Sequence, residues 1–133
     1  MVSDKESHVI SGVDFVYVPT QDFDAAVEFY GKVLGLPLSA RYGQRPGAEF
    51  ETGNLTLAVI ESESFGMEFR PIGHPIGLHV EDVETARAEL ESRGVEFGAE
   101  TMDTGVCHMA FFRDPDGNAL MLHHRYAPRT PLG

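Results

Sequence analysis

The chain has 133 residues, a formal net charge of −11 and a single cysteine. This length predicts one domain with its own core. The acidic excess argues against nucleic acid and anionic membrane surfaces as partners, because both require clustered Lys and Arg. No apolar run is long enough to span a bilayer, and the polar N-terminus lacks the apolar core of a signal peptide. We therefore expect a cytoplasmic protein.

The first half of the chain predicts a strand, a helix and three further strands. Residues 13–19 alternate as a strand that is apolar on both faces. Asp22 is a good helix N-cap, an apolar helical stripe follows it, and Gly35 suits the residue after the helix. Short strands are then predicted near residues 38–42, 48–52 and 54–61.

The second half predicts the same order of elements. A strand at residues 76–80 precedes Asp82, the N-cap of a helix that ends at Gly94. Further strands are predicted near residues 95–98, 106–113 and 118–124. The Asp-Pro-Asp-Gly sequence at 114–117 predicts a hairpin turn, because Pro presets one turn angle and Gly accepts a positive φ.

The two halves are copies of one unit. Asp82 follows Asp22 by 60 residues, and Gly117 follows Gly53 by 64 residues. Self-similarity at a nearly fixed offset indicates one supersecondary unit used twice. We predict an α+β fold in which residues 1–133 form a single domain of two βαβββ modules. The predicted parts are module 1 at about 10–61, a connector at 62–74 that forms an extra strand or a flap, module 2 at about 75–125, and a tail at 126–133.

Three groups of residues give the chain a resemblance to a known family. They are Val16-Tyr17-Val18-Pro19 through Asp22, Phe29-Tyr30 with Leu34-Gly35-Leu36, and Phe112-Arg113-Asp114-Pro115-Asp116-Gly117-Asn118. In this order and spacing they resemble the vicinal oxygen chelate (VOC) superfamily, which includes glyoxalase I, extradiol dioxygenases and bleomycin-resistance proteins. The resemblance implies that the modules form an open eight-stranded cup, either within one chain or across a dimer.

The resemblance also implies where metal-dependent members carry their ligands. One lies on each first strand, seven residues before the capping Asp, and one on each last strand, three residues beyond the Asn of the Gly-Asn pair. Those positions hold Phe15, Pro75, Leu57 and Met121. None offers an imidazole nitrogen or a carboxylate oxygen, so we expect no metal and no other cofactor.

A shifted metal site is the alternative. His79, His123 and Glu61 form a geometrically conceivable cluster. We favour ordinary hydrogen-bonding roles for these residues, because they lack the close ligand spacing of local metal motifs.

The strand face that carries ligands in metal-dependent relatives is instead predicted to bind an organic molecule. Apolar side chains with aromatic rings and a few polar groups are typical of ligand pockets. The predicted ligand-binding residues are Phe15, Tyr17, Phe50, Leu57, Val59, His79, His108, Phe112, Met121 and His123.

Two classes of function remain open, with a bare dimerisation platform ranked below both. The first is a metal-independent protein that sequesters an aromatic or largely apolar natural product, as the metal-free antibiotic-binding members of the family do. The second is a VOC-type enzyme (a lyase, isomerase or dioxygenase-like protein) with an atypical or absent metal site. We favour binding, since no nucleophile–base signature is present. We also expect a homodimer, because an open cup leaves strand edges and apolar surface exposed.

Overall fold

The computed structural model describes residues 9–129. The first module contains β1 (Phe15–Thr20), α1 (Phe23–Glu28) with a π-helical turn (Phe29–Val33), β2 (Leu38–Arg41), β3 (Gly47–Glu51) and β4 (Thr56–Glu61). The second contains β5 (Ile76–His79), α2 (Val83–Ser92), β6 (Met102–Asp103), β7 (Cys107–Arg113) and β8 (Ala119–Arg125). The predicted stretch at 1–8 and the end of the predicted tail at 130–133 lie outside the described residues.

Each module forms its own four-stranded sheet. The strand orders are β1-β4-β3-β2 and β5-β8-β7-β6. In each sheet the first strand of the module is parallel to the last one, and the other pairs are antiparallel. The sheets do not close into a barrel, so the architecture is the predicted α+β arrangement of two βαβββ modules in an open, cup-like form.

Local capping explains where the helices begin. Asp22 accepts a hydrogen bond from the Ala25 amide at 3.2 Å, and Asp82 accepts one from the Thr85 amide at 2.9 Å. Each carboxylate thereby satisfies a free amide of the first helical turn. The predicted N-caps are confirmed.

One predicted strand of the second half is wrong, and the connector does not form the extra strand that was one of its two alternatives. Residues 95–98 do not form a strand, since Phe97 makes only an isolated bridge to Phe112. The sixth strand begins instead at Met102. The connector contains a 3₁₀ turn at Ser62–Phe65 and no further strand. It is attached to the last hairpin, because the Ala119 amide donates to the Ile72 carbonyl at 2.8 Å.

One hydrophobic core joins the modules. It takes Val18, Tyr30, Leu57 and Val59 from the first module and residues such as Leu122 from the second. One face of each sheet is thus covered, and we call these the core faces. The opposite faces, which we call the outer faces, are defined by their residues below. No helix within residues 9–129 is both long and apolar enough to cross a membrane.

A buried polar network also joins the modules, at the predicted turn between β7 and β8. The Tyr30 hydroxyl donates to Asp114 Oδ2 at 2.6 Å, and the Asn118 side-chain amide donates to the same oxygen at 2.7 Å. Asn118 also donates to the Pro19 carbonyl at 2.8 Å. Burial, reinforced by the negative charge of Asp114, raises the pKa of Tyr30 well above its usual value. The phenol therefore remains a hydrogen-bond donor.

Candidate functional site

The outer face of the first sheet presents an aromatic pair to solvent. Phe15 and Tyr17 project from the edge strand β1 and are 43% and 49% exposed. Their rings meet edge to face, with centroids 4.8 Å apart. Tyr17 is the register partner of Ala58, which is small and fully buried. We call Phe15, Tyr17, Ala58, Thr56, Glu49 and Glu51 the first outer face.

Two carboxylates border the aromatic pair, and each accepts hydrogen bonds. Ser39 and Thr56 donate to the two oxygens of Glu51 at 2.5 and 2.7 Å, which lowers the pKa of that carboxyl group. The Tyr42 hydroxyl donates to Glu49 at 2.5 Å. Partial desolvation and this hydrogen bond raise the pKa of Tyr42 to about 12. At neutral pH the border of the site thus combines negative charge with a fixed phenol donor.

The outer face of the second sheet has an apolar centre and carries an imidazole. Strand register places Gly77 beside Met121, and Met121 beside Phe111. His123 follows on the same face of β8. We call Gly77, Phe111, Met121 and His123 the second outer face. A Cβ on Gly77 would lie 3.5 Å from the Met121 methyl group, so the Met121 side chain lies against this glycine.

Several predicted ligand-binding residues do not lie on these faces. Phe50, Leu57, Val59 and Phe112 are at most 4% exposed and belong to the hydrophobic core. Residue His108 is the register partner of His124, on the core side of the second sheet, and its Nε2 lies 3.3 Å from Asp103. Of the predicted set, Phe15, Tyr17, Met121 and His123 are on the outer faces. His79 is the last residue of β5 and turns toward His124, with ring centroids 5.8 Å apart.

The sequence predicted that Leu57 and Phe15 lie on the same face of the first sheet. This prediction is wrong, because the last strand begins one residue later after its Asn in the first module than in the second. In the first, Thr52 bonds to Leu55, so Leu55 belongs to the turn and β4 begins at Thr56. In the second, β8 begins immediately after Asn118. The residue three beyond the Asn is therefore the second residue of β4 but the third of β8. A shift of one residue moves a side chain to the other face of a sheet.

The corrected register replaces one of the four predicted ligand positions, but the residues there still cannot bind a metal ion. Ala58 occupies the place equivalent to Met121, since Tyr17 pairs with Ala58 as Gly77 pairs with Met121. The four positions then carry a phenyl ring, a proline ring, a methyl group and a thioether. These groups do not fit a site for a hard or borderline metal ion, which needs nitrogen or oxygen ligands.

The structure does not group His79 with His123 and Glu61, the cluster that the sequence offered as an alternative metal site. Glu61 accepts a hydrogen bond from Ser64 in the first module. His79 lies instead with Glu81 and His124, and one potential ligand atom from each of these residues lies within 4.8 Å of the others. Glu81 was absent from the predicted set, although its two-residue spacing from His79 is visible in the sequence. Glu49 and Glu51 were also missed, although they alternate with the buried Ala48 and Phe50.

Two clefts lie beside the core and away from the first outer face. The larger has a volume of about 790 Å³ and runs between Phe29, Val95 and Phe112. The smaller has a volume of about 570 Å³ and includes Leu57 and His79 in its lining. Phe15 and Tyr17 line neither of these two clefts, and both are nearly half exposed, so the aromatic pair is an open surface in a single copy of the chain.

Comparisons with known proteins identify relatives of the chain. The family model of the glyoxalase/bleomycin resistance protein/dioxygenase superfamily matches residues 12–122. An uncharacterized protein of Bacillus subtilis strain 168, YraH, is 28% identical over an alignment of 114 residues, and the match covers 77% of this chain and 89% of YraH.

Solved structures resemble the chain over most of its length. TnmS3, an antibiotic binding protein from Streptomyces sp. CB03234, is 26% identical with a TM-score of 0.74, and the match covers 89% of this chain and 98% of TnmS3. A lactoylglutathione lyase from Agrobacterium tumefaciens is 18% identical with a TM-score of 0.72, covering 86% of this chain and 93% of the lyase. The second likeness is one of fold alone.

Proposed function

We propose that this chain, which belongs to the glyoxalase/bleomycin resistance protein/dioxygenase superfamily, binds and sequesters an aromatic, largely apolar small molecule without using a metal ion. The observation that carries the proposal is the exposed Phe15–Tyr17 pair on the first outer face. In metal-dependent relatives the resemblance places a metal ligand at the position of Phe15. Here the same position carries a stacking surface.

The first outer face suits a flat ligand. Two rings fixed on a strand contribute contact area at little cost in rotamer entropy, and stacking adds about 0.5–1.5 kcal/mol per aromatic pair beyond area burial. Glu49, Glu51 and the Tyr42 hydroxyl supply polar contacts for the edge of a bound ring system.

Likeness to TnmS3 supports sequestration of an antibiotic-like natural product. At 26% identity over 89% of this chain, this relative is described as an antibiotic binding protein. The lyase supports the alternative, a VOC-type enzyme, only through its fold. Such an enzyme requires a general acid–base pair, for which the candidates are Tyr17, His79, His108, His123 and Glu61.

A homodimer forms part of the proposal. Within residues 9–129, β1 and β5 each have a neighbouring strand on one side only. Phe15, Tyr17 and Leu38 are all more than 40% exposed, and unpaired strand edges with apolar surface favour association. We propose that a second copy covers the first outer face with its own second outer face. We also place the protein in the cytoplasm, where its free Cys107 stays reduced.

The test is a thermal-shift screen of aromatic natural products, followed by calorimetry and by mass spectrometry of the recovered ligand. A ligand that binds only the folded state raises the melting temperature. Phe15→Ala and Tyr17→Ala should each weaken binding by about 1–3 kcal/mol, as expected for a central aromatic anchor. Met67→Ala is the matched control, since Met67 is also 45% exposed but lies in the connector. An altered ligand would favour the enzyme, and an unaltered ligand indifferent to both variants would exclude the first outer face as the site.

A further inference from the structure

Three side chains of metal-ligating type meet where β5 ends and α2 begins. His79 is the last residue of β5, Glu81 immediately precedes the α2 N-cap, and His124 is near the end of β8. One nitrogen of each imidazole and one oxygen of the carboxylate all lie within 4.8 Å of one another. This cluster shares none of the four positions at which the resemblance places metal ligands.

Strand pairing brings the three residues together. β5 runs parallel to β8, with His79 opposite His123, and the Val80 amide continues the ladder by donating to the His123 carbonyl at 3.1 Å. His79 and Glu81 flank Val80, and His79 Nε2 lies 3.2 Å from Glu81 Oε1. The neighbouring residue of β8, His124, completes the cluster.

His124 has an unmet bonding requirement. Its Nδ1 atom is buried and has no hydrogen-bond partner within residues 9–129. A buried polar atom without a partner costs free energy and needs an explanation, and coordination of a metal ion would supply one. An imidazole nitrogen that no protein group engages can present a lone pair to a metal ion.

We propose that His79, Glu81 and His124 bind a divalent transition-metal ion of the Zn²⁺ class, with water as the fourth ligand. Two imidazoles and one carboxylate form a set that suits Zn²⁺ and is poorly suited to Ca²⁺ or Mg²⁺, which prefer oxygen ligands. The proposal is independent of ligand binding at the first outer face.

The present separation of the ligand atoms permits closure around an ion. Bonds of about 2.0–2.2 Å to Zn²⁺ place tetrahedral ligand atoms about 3.3 Å apart. The His79 and Glu81 side chains are 65% and 90% exposed, so rotation of these two onto the more enclosed His124 does not disturb the core. The adjacent carboxylate of Asp82, which caps α2, adds negative charge beside the ion.

The test is a titration of untagged, chelator-stripped full-length protein with Zn²⁺ by calorimetry and with Co²⁺ by visible absorbance. We expect one equivalent of Zn²⁺ and the intense absorbance of tetrahedral Co²⁺. Because even outer-shell changes weaken metal sites by 10- to 100-fold, His79→Gln and His124→Gln should each weaken binding by about 100-fold. Glu81→Gln, which keeps the shape and removes the charge, should weaken it by at least about 10-fold.

Two matched variants make the result specific. His74→Gln removes an exposed imidazole outside the cluster and should leave Zn²⁺ affinity unchanged. His123→Gln changes the neighbouring histidine, which is not part of the cluster, and should also leave Zn²⁺ affinity unchanged. The exposed His79 variant keeps the test valid if His124→Gln folds poorly. Binding below half an equivalent, binding that survives His79→Gln and Glu81→Gln, or binding lost with His123→Gln would each overturn the proposal.

Discussion

The two Gly-Asn turns of the chain share two residues and differ in almost everything around them. Asn118, in the second module, is fully buried and bonds to Asp114, Pro19 and the Ile72 amide. Its counterpart Asn54 is exposed, and its side chain accepts one hydrogen bond, from Thr52 at 3.2 Å. The second turn therefore joins the two modules, whereas the first only reverses the chain between two strands.

This difference shows how a duplicated unit can divide its roles. The turn that contacts the other module also bonds Tyr30 and the connector, so many groups depend on it. The solvent-exposed turn is free to differ in length. It places Leu55 in the loop and thereby sets which residues of β4 face the core. The identity of the first outer face follows from this local difference.

The largest expected effect tests which residues of β4 face the core. Leu57→Ala should destabilise the protein by about 3 kcal/mol, because it removes a fully buried side chain and leaves a cavity. Phe15→Ala, on the opposite face of the same sheet and 43% exposed, should cost less than about 1 kcal/mol in an isolated subunit. Urea unfolding measures both. Equal costs would contradict the assigned faces.

The second prediction tests the asymmetry of the turns directly. Asn118→Ala should cost about 2–3 kcal/mol, since it removes the side-chain donor to the Pro19 carbonyl, one of the donors to Asp114 and the acceptor of the Ile72 amide. Asn54→Ala is the matched control and should change the free energy of unfolding by less than about 0.5 kcal/mol. Similar values for the two variants would mean that the second turn does not hold the modules together.

The third prediction isolates one bond of the module junction. Tyr30→Phe keeps the buried ring and removes the hydroxyl that donates to Asp114 at 2.6 Å. A hydrogen bond to a charged group contributes about 1.5–3 kcal/mol, and Asp114 keeps its bonds from Asn118, so we expect a loss near the lower end of that range. When Tyr30→Phe is made in the Asn118→Ala variant, the loss in free energy of unfolding should differ from the loss in the unmodified protein, because residues of one hydrogen-bond network are coupled.

Sequence could predict the features that depend on neighbouring residues. Asp22 and Asp82 were identifiable as N-caps because capping involves only the next helical turn. The order of strands followed from the repeat. The phase of β4 was not predictable, since it depends on how Thr52 closes its turn. Likewise, whether His79 approaches His123 or His124 depends on where a side chain at a sheet edge turns, which alternation along a strand does not specify.

The smallest expected effect lies in the titration of two tyrosines. Tyr30 belongs to the module junction, and Tyr42 lies beside the first outer face. Tyr42 bonds to Glu49 near the protein surface, and its pKa is raised to about 12, whereas the pKa of the fully buried Tyr30 is raised further. Alkaline titration followed by phenolate absorbance should therefore show a phase near pH 12 that is absent in Tyr42→Phe. Tyr30 should ionise only as the protein unfolds.

The sign of the linked stability change follows from the raised pKa. The folded state holds the Tyr42 proton more tightly than the unfolded chain, in which tyrosine has a pKa of about 10. The contribution of this group is therefore complete below about pH 10 and is lost as the pH rises through about 12. Tyr42→Phe should flatten the stability profile over that interval and leave it unchanged near neutral pH apart from a constant offset. A profile of unchanged slope would show that the Tyr42–Glu49 bond does not persist in solution.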